Sequence, residues 1–330
     1  MISLKDYISL INTEINKTLL DTLPEPKELY DPVKYILSNG GKRIRAVMTL
    51  ISANMFTNDL SQAIAPALGM EVFHNFTLLH DDIMDKATIR RGIPTVHLKW
   101  DENTAILSGD AMMILANQLI AQAPVTVLLP VLQTFNKTAL EVCEGQQYDM
   151  NLEQTNISTN DISENEYLEM IKLKTSVLIG ASLKIGALCG GASLEQAELL
   201  YQYGLNIGLA FQIQDDLLDT FGNEADFGKR IGGDILEGKK TYLLIKALER
   251  SSKNESTLLK SMINDSSIGE TEKIETIKGI YLATGVKELA ETKIESYFEK
   301  AQTFLNQLSL NDVNTKAIKE LEASLKKRMK

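Results

Sequence analysis

Residues 76–85 read FTLLHDDIMD and close a longer stretch, residues 68–84, that is apolar on almost every side. A helix that is apolar on most faces belongs inside a helical protein rather than on its surface. Carboxylates are costly in such a place unless positive charge meets them. At ~100° per residue, Asp81 and Asp85 project from one helix face and Asp82 points elsewhere. The pair predicts a cation site with oxygen ligands, although a helix end running into solvent would explain the same residues.

The same pattern returns far downstream, where residues 211–219 read FQIQDDLLD and again follow an apolar run. Asp215 and Asp219 repeat the four-residue spacing of Asp81 and Asp85. Two such helices facing each other across the core of a bundle would bring at least four carboxylates together. The repetition therefore favours an acidic site built from two buried helices over two unrelated helix ends.

The remaining sequence favours an all-α fold. Alternating Val/Ile/Thr runs bounded by turns are nearly absent, whereas Ser163 and Ser193 open capping boxes before long apolar-periodic segments. A chain of 330 residues with 44% hydrophobic residues can bury a large core. No Gly/Pro/Ser-rich linker divides it. We expect about ten to thirteen helices packed as one large bundle, a single domain over residues 1–330.

The charge, the cysteine content and the apolar runs of the sequence argue against a nucleic-acid-binding, a disulfide-rich secreted or a membrane-spanning protein. The net charge of −10 argues against nucleic acid as a main partner. Cys143 and Cys189 provide no disulfide framework in so long a chain and fit a reducing compartment. The beginning of the sequence lacks a signal-peptide pattern, and no apolar run is long and uncharged enough to span a bilayer. We therefore expect a cytoplasmic protein without stable membrane insertion.

Three basic stretches lie near these acidic runs. Residues 40–45, GGKRIR, place a glycine pair before a helix start, where free N–H groups and the helix dipole favour an anion. Lys42 and Arg45 are three residues apart and would share a helix face. Arg90 and Arg91 follow the first acidic run. The simpler explanations are that the basic residues are solvated or that the arginines merely neutralise the carboxylates. Acidic and basic residues close together are also what a site for a metal–phosphate complex requires.

The third basic stretch, residues 228–240, reads GKRIGGDILEGKK. It contains a spacing like that of a nucleotide-binding loop, but Lys240 stands where Ser or Thr is required and no parallel strand precedes it. We reject that function. The stretch still places Lys229 and Lys239 close in sequence to Asp215 and Asp219.

Together these elements resemble the trans-isoprenyl diphosphate synthase (polyprenyl synthetase) family, in its short-chain type similar to geranylgeranyl and farnesyl diphosphate synthases. The matching stretches, in the family's order, are GGKRIR at 40–45, LLHDDIMDKATIRRG at 78–92, KT at 174–175, FQIQDDLLD at 211–219 and GKRIGGDILEGKK at 228–240. The one departure is Ala46, where the family usually has proline.

The resemblance implies the isoprenoid synthase fold, helices around a central elongation cavity, and a homodimer. It also implies head-to-tail condensation of isopentenyl diphosphate with an allylic diphosphate, two small-molecule substrates. Three Mg²⁺ ions would be held by the carboxylates Asp81, Asp82, Asp85, Asp215 and Asp219. The implied binders of the allylic diphosphate are Arg90, Lys174, Lys229 and Lys239. Those implied for isopentenyl diphosphate are Lys42, Arg45, His74 and Arg91. Thr175 and Gln212 would direct oxygen atoms at the carbocation and complete the catalytic set with Arg90, Lys174 and Lys229.

The chemistry of these residues agrees with the implied roles. Carboxylate-held Mg²⁺ would stabilise the charge that develops on a departing diphosphate. His74 lies seven residues, about two turns, before Asp81, so a neutral imidazole could reach a phosphate oxygen on the same side. Without the resemblance, a hydrogen-bonded core histidine at position 74 and a snorkelling lysine at position 174 would explain these residues.

Product length is set in the family by bulky residues upstream of the first acidic run, and Phe76 predicts a product of C15 to C20, with C20 favoured. On an ideal helical wheel Phe76 lies ~140° from Asp81, whereas Phe73 lies ~80° and Thr77 ~40° away. Phe73 is therefore a rival for the floor of the cavity.

Other functions fit the sequence less well. A farnesyl (C15) or longer product, or a non-catalytic partner subunit of a prenyl synthase, stays open, although such a partner would be expected to have lost Asp or Arg positions. A terpene cyclase or a head-to-head synthase would have no use for an isopentenyl diphosphate pocket formed by Lys42, Arg45 and Arg91. A calcium-binding bundle would not explain the basic loops, and an EF-hand needs its acidic residues in a glycine-bearing turn.

Overall fold

The computed structural model describes residues 2–157, 162–222, 231–263, 265 and 267–326, without the side chains of residues 312 and 313. The all-α prediction is confirmed. The described residues form sixteen α-helices: α1 (Leu4–Ile15), α2 (Lys27–Ser38), α3 (Ile44–Asn54), α4 (Ser61–Met84), α5 (Val96–Lys99), α6 (Glu102–Ile120), α7 (Leu128–Gln154), α8 (Glu164–Ile171), α9 (Val177–Cys189), α10 (Leu194–Phe221), α11 (Gly233–Glu237), α12 (Tyr242–Arg250), α13 (Lys253–Ile263), α14 (Glu270–Ala283), α15 (Val286–Gln307) and α16 (Asp312–Lys326).

These helices outnumber the ten to thirteen expected from the sequence. The four-residue α5 and the five-residue α11 are too short to carry a 3.6-residue apolar pattern. Two segments are π-helical: Asn16–Leu20 extends the end of α1, and Lys172–Ser176 lies directly between α8 and α9. Two short antiparallel strands, β1 (Ile89–Arg90) and β2 (Ile93–Pro94), are also present.

The residue contacts divide the chain into two compact units. Unit 1 comprises residues 1–137, 181–201 and 309–321, and unit 2 comprises residues 138–180, 202–308 and 322–330. Each unit is assembled from stretches that are far apart in sequence. That residues 1–330 form a single domain stays a prediction.

In unit 1, α4 is the central helix and packs against α3 and α6. Leu68, Val72, Phe73 and Leu79 are all buried, although they point in different directions from the helix axis. This confirms that residues 68–84 are enclosed on most sides. The acidic residues that end the helix therefore begin at the edge of a packed core.

In unit 2, α12 packs against α8, α14 and α15. The capping box at Ser163 starts α8 as predicted. Glu164, in the first turn of α8, forms ion pairs with Lys246 at 2.5 Å and with Lys293 at 2.7 Å. The buried carboxylate of Glu322 in α16 accepts hydrogen bonds from Tyr203 at 2.9 Å and from Gln302. The hydrogen bond from Tyr203 ties α10, which carries the second acidic run, to α16.

Among the residues with described positions, no helix has both the length and the apolar character needed to cross a membrane.

The packing of α9 against α3 in unit 1 yields a stability prediction. A Cβ atom at Gly186 would lie 2.0 Å from the carbonyl oxygen of Thr49, so the two helices would have to separate. We expect Gly186→Ala to lower the free energy of unfolding by about 1 to 3 kcal/mol, the usual cost of overpacking, in urea titrations. Gly279→Ala is the control, because that helical glycine faces open space. It should gain up to about 1 kcal/mol through helix propensity. Equal stabilities of the two variants would contradict the close approach.

Candidate active site

The first acidic run lies at the end of α4 in unit 1, against Arg90. The Nε of Arg90 donates to Oδ1 of Asp82 at 2.7 Å, and its Nη2 lies 3.6 Å from Oδ2 of Asp81. The Asp82 side chain is only 4% exposed, and this burial raises its pKa while Arg90 opposes the rise. Asp85 follows as the helix cap and is exposed. A helix end running freely into solvent therefore does not describe Asp81 and Asp82.

A β-hairpin follows this run where the sequence suggested an irregular loop. The strands β1 and β2 are joined by Arg91 and Gly92, whose φ angles are 53° and 79°. Positive φ at both positions is what a two-residue type I′ turn requires. The hairpin is tied to α2, because Tyr35 donates to the carbonyl of Pro94 at 2.9 Å. Its geometry directs Arg90 towards the carboxylates and Arg91 elsewhere.

Arg91 belongs to a cluster of basic residues beside the loop that precedes α3. Its Nη1 donates to the carbonyl of Gly40 at 2.8 Å. A Cβ atom on Gly41 would lie 2.9 Å from that same Nη1, so only glycine leaves room for the guanidinium group. Arg45 Nη1 lies 3.1 Å from Nε2 of His74. Three of the four residues implied for isopentenyl diphosphate therefore lie in one cluster.

The imidazole of His74 is neutral. Burial lowers its pKa well below the usual value, and the neighbouring arginines, led by Arg45 and Arg91, lower it further. A neutral ring nitrogen beside guanidinium groups can still donate a hydrogen bond to an anion. The cluster is thus suited to a phosphate group without any metal ion.

Lys42, the fourth residue, is exposed and precedes α3, which begins at Ile44. The expectation that Lys42 and Arg45 share a helix face is therefore wrong, because Lys42 is not in the helix. Arg43 is the N-cap and adopts a left-handed conformation with φ of 49°.

Unit 2 holds a cavity of about 210 Å³ that contains most of the remaining predicted residues. Its lining includes Lys174, Thr175, Gln212, Asp215, Asp219 and Lys239. Lys229 lies outside the described residues. Charged residues to which the sequence analysis assigned no role in the site also line this cavity, namely Asp149, Glu153, Asp216, Asp234 and Lys240.

Lys174 and Thr175 lie in a π-helical segment rather than in a regular helix. Nζ of Lys174 contacts Oδ2 of Asp149 at 2.5 Å, and the Thr175 hydroxyl donates to Oε1 of Gln212 at 3.2 Å. A Cβ atom at Gly145 would lie 2.2 Å from the backbone nitrogen of Lys174, so α7 passes very close to this segment. π-Helical turns are often found at functional sites, and this one carries two of the predicted catalytic residues.

Carboxylates in this cavity outnumber what the nearby lysines neutralise. Burial and the charge of Asp234 raise the pKa of Asp216 to about 8, although Tyr167 donates a hydrogen bond to it. Burial and the charge of Asp219 raise the pKa of Asp234 to about 6. The backbone N–H of Asp234 also donates to Oδ2 of Asp219 at 3.0 Å. A divalent cation would relieve this crowding of negative charge.

The donor set therefore fits a hard cation with oxygen ligands. Within the described ranges, no three His, Cys, Asp or Glu side chains form a group that could hold a metal ion by themselves. Mg²⁺ commonly binds one or two carboxylates and completes its octahedron with water and substrate phosphates. Both acidic runs supply carboxylates of that kind.

The three residues considered for product length, Phe73, Phe76 and Thr77, lie on α4, and the two phenylalanine rings contact each other. Phe73 is fully buried and its ring meets that of Phe135 edge-on, with centroids 5.3 Å apart. Phe76 is half-buried between Phe73 at 5.5 Å and His80 at 4.8 Å. Thr77 donates its hydroxyl hydrogen to the carbonyl of His74. Which of these side chains limits the product stays a prediction.

Comparison with known proteins identifies the family of this chain. The sequence model of the family described as polyprenyl synthetase matches residues 26–281. The geranylgeranyl diphosphate synthase of Methanosarcina mazei is 38% identical over 303 residues, which is 88% of this chain and 92% of that protein.

Solved structures of prenyl synthases are also similar to this chain. The crystal structure of a geranylgeranyl pyrophosphate synthase matches with a TM-score of 0.92 and 44% identity over 98% of each chain. A polyprenyl synthase from Caulobacter crescentus, complexed with calcium and isoprenyl diphosphate, matches with a TM-score of 0.84 and 28% identity, covering 97% of this chain and 95% of that one. The chain therefore belongs to the polyprenyl synthetase family and has the helical isoprenoid synthase fold of these enzymes.

Proposed function

We propose that this prenyltransferase condenses isopentenyl diphosphate head to tail with an allylic diphosphate and releases all-trans geranylgeranyl diphosphate, a C20 product. One observation carries the proposal: the adjacent residues Arg90 and Arg91 have different partners. Arg90 forms ion pairs with Asp81 and Asp82, whereas Arg91 donates to the carbonyl of Gly40 and lies near Arg45 and His74. This difference is what a reaction with two diphosphates requires, since one diphosphate leaves and the other is retained. The relatives named above support C20 as the product.

In the proposed reaction, the allylic C–O bond breaks and its electron pair stays on the diphosphate oxygen. The double bond of isopentenyl diphosphate then supplies the electrons of the new C–C bond, and the departed diphosphate accepts the proton that is lost. Arg90, Lys174 and Lys239, with Lys229, would bind oxygens of the leaving diphosphate. Thr175 and Gln212 would present their oxygen atoms to the allylic cation, while apolar side chains exclude water.

We also propose three Mg²⁺ ions, with Asp81, Asp85 and Asp215 as ligands and Asp82 and Asp219 as supporting carboxylates. Asp234 also lines the cavity of unit 2 and has a raised pKa, and we add it as a further supporting carboxylate. Bound divalent cations would neutralise the negative charge that grows on the leaving diphosphate.

The proposed function is tested by incubating the protein with isopentenyl diphosphate, Mg²⁺ and each allylic primer in turn. We expect Asp81→Ala and Asp215→Ala to lower kcat/KM at least about 100-fold, because each removes charge stabilisation of the leaving group. Asp31→Ala, on the exposed side of α2, is the control and should behave like the parent protein. No prenyl transfer by the parent protein would contradict the proposal and favour a non-catalytic partner subunit. Parent-like activity of either active-site variant would contradict the metal assignment.

Product length is tested with Phe76→Ala. Removing the half-buried ring should lengthen the main product by at least one five-carbon unit, read by chromatography of the dephosphorylated products. Phe73→Ala, which removes the rival ring, is assayed beside it. A lengthened product from Phe73→Ala alone would transfer the role to that residue, and an unchanged distribution from Phe76→Ala would exclude Phe76 as the floor.

We propose a homodimer that covers an apolar surface of unit 1. Leu107 and Ile114 on α6 are 59% and 61% exposed, and Leu129 on α7 is 66% exposed. Leu107 and Ile114 are seven residues apart and share one face of α6, and exposed apolar side chains on a shared face are typical of an interface between subunits. Ile114→Lys should place a charge in that interface and shift the protein towards the monomer in light scattering, whereas the parent protein should scatter as a dimer. A monomeric parent protein would overturn the proposal.

A further inference from the structure

A single carboxylate, that of Glu71, is buried behind the basic cluster of unit 1. Glu71 lies on α4, three residues before His74, and is 2% exposed. Its Oε1 accepts hydrogen bonds from Nη1 of Arg43 and Nδ2 of Asn75, both at 3.2 Å. Its Oε2 is buried and has no hydrogen-bond partner among the described residues. A carboxylate in such a place is usually paired through both oxygens, so one partner site is left for another group.

Arg43, the partner of Glu71, does not face a ligand. It is 4% exposed, and it donates from Nε to Oδ1 of Asn12 on α1 at 3.1 Å and from Nη2 to the carbonyl of Leu37 on α2. Arg43 is also the N-cap of α3. The pair of Arg43 and Glu71 therefore fixes the start of α3, two residues before Arg45, relative to three other helices.

The charges of the cluster do not cancel. Arg43, Arg45 and Arg91 contribute three positive charges, His74 is neutral, and Glu71 contributes one negative charge. Nε of Arg45 is buried without a partner among the described residues. Two positive charges thus remain for an incoming anion, held in place by a carboxylate that the anion does not touch.

We propose that Glu71 is a positioning residue for isopentenyl diphosphate, acting through Arg43 to hold Arg45 and His74 where the retained diphosphate binds. The identity of the ligand rests on the proposed function. The alternative is a purely electrostatic role, in which Glu71 only offsets the arginine charges. The two roles predict opposite results for Glu71→Gln. Removing a nearby negative charge by itself strengthens anion binding, whereas releasing Arg43 displaces the cluster and weakens it.

The experiment compares the parent protein with Glu71→Gln, Glu71→Asp and the control Glu322→Gln. Glu322 is also a buried helical glutamate that accepts two side-chain hydrogen bonds, but it lies in unit 2. We expect Glu71→Gln to raise KM for isopentenyl diphosphate about tenfold, because a buried charge-assisted hydrogen bond is lost. KM for the allylic diphosphate should stay within about twofold. Glu71→Asp should recover part of the loss, and Glu322→Gln should leave the KM for isopentenyl diphosphate unchanged.

Equal or tighter binding of isopentenyl diphosphate by Glu71→Gln would overturn the proposal, as would equal increases in both KM values. Thermal unfolding of each variant separates these results from loss of the fold. If the parent protein shows no prenyl transfer, the proposed function fails, and the role of Glu71 is decided by calorimetric titration with inorganic diphosphate without metal. Weaker binding by Glu71→Gln than by Glu322→Gln would then support the positioning role, and equal or tighter binding would overturn it.

Discussion

The structure depends on opposite charges that meet at the ends of apolar helices. α4 is enclosed over most of its length, so Asp81 and Asp82 at its end are only partly hydrated, and the guanidinium group of Arg90 from the following hairpin pairs with them. The pair of Arg90 and Asp82 is the closest of these contacts at 2.7 Å. An ion pair at such a boundary is worth more than one in water but is not fully desolvated. It therefore keeps the acidic run ordered while leaving it accessible to a charged ligand.

The same principle operates differently in the two units. In unit 1, arginines exceed carboxylates around His74, and the excess favours an anion by itself. In the cavity of unit 2, carboxylates exceed lysines, and burial, together with neighbouring negative charges, raises the pKa values of Asp216 and Asp234. A cluster of that second kind binds an anion only together with a cation. Under the proposed function, this distribution of charge would distinguish a diphosphate that needs metal from one that does not.

Much of this could be predicted from the sequence, because the strongest signals are local. The four-residue spacing of Asp81 and Asp85, the capping box at Ser163 and the apolar periodicity depend on neighbouring residues in one helix, and the fold class followed from them. The π-helical segment at Lys174 could not be predicted, because it has no local sequence signal, and its close contact with Gly145 joins residues of two different helices. Glu71 and Asp234 were missed for a related reason: their importance comes from partners distant in sequence.

The two-residue turn at Arg91 and Gly92 constrains how this region can vary. Successive residues of an antiparallel hairpin point to opposite sides, so the number of residues in the turn decides which arginine faces the carboxylates. Inserting one residue would reverse the orientation of everything on one strand, even if both arginines were retained. Substitutions at the exposed Ile89 would leave that orientation intact. Across related sequences, length at this hairpin should therefore be more restricted than side-chain identity.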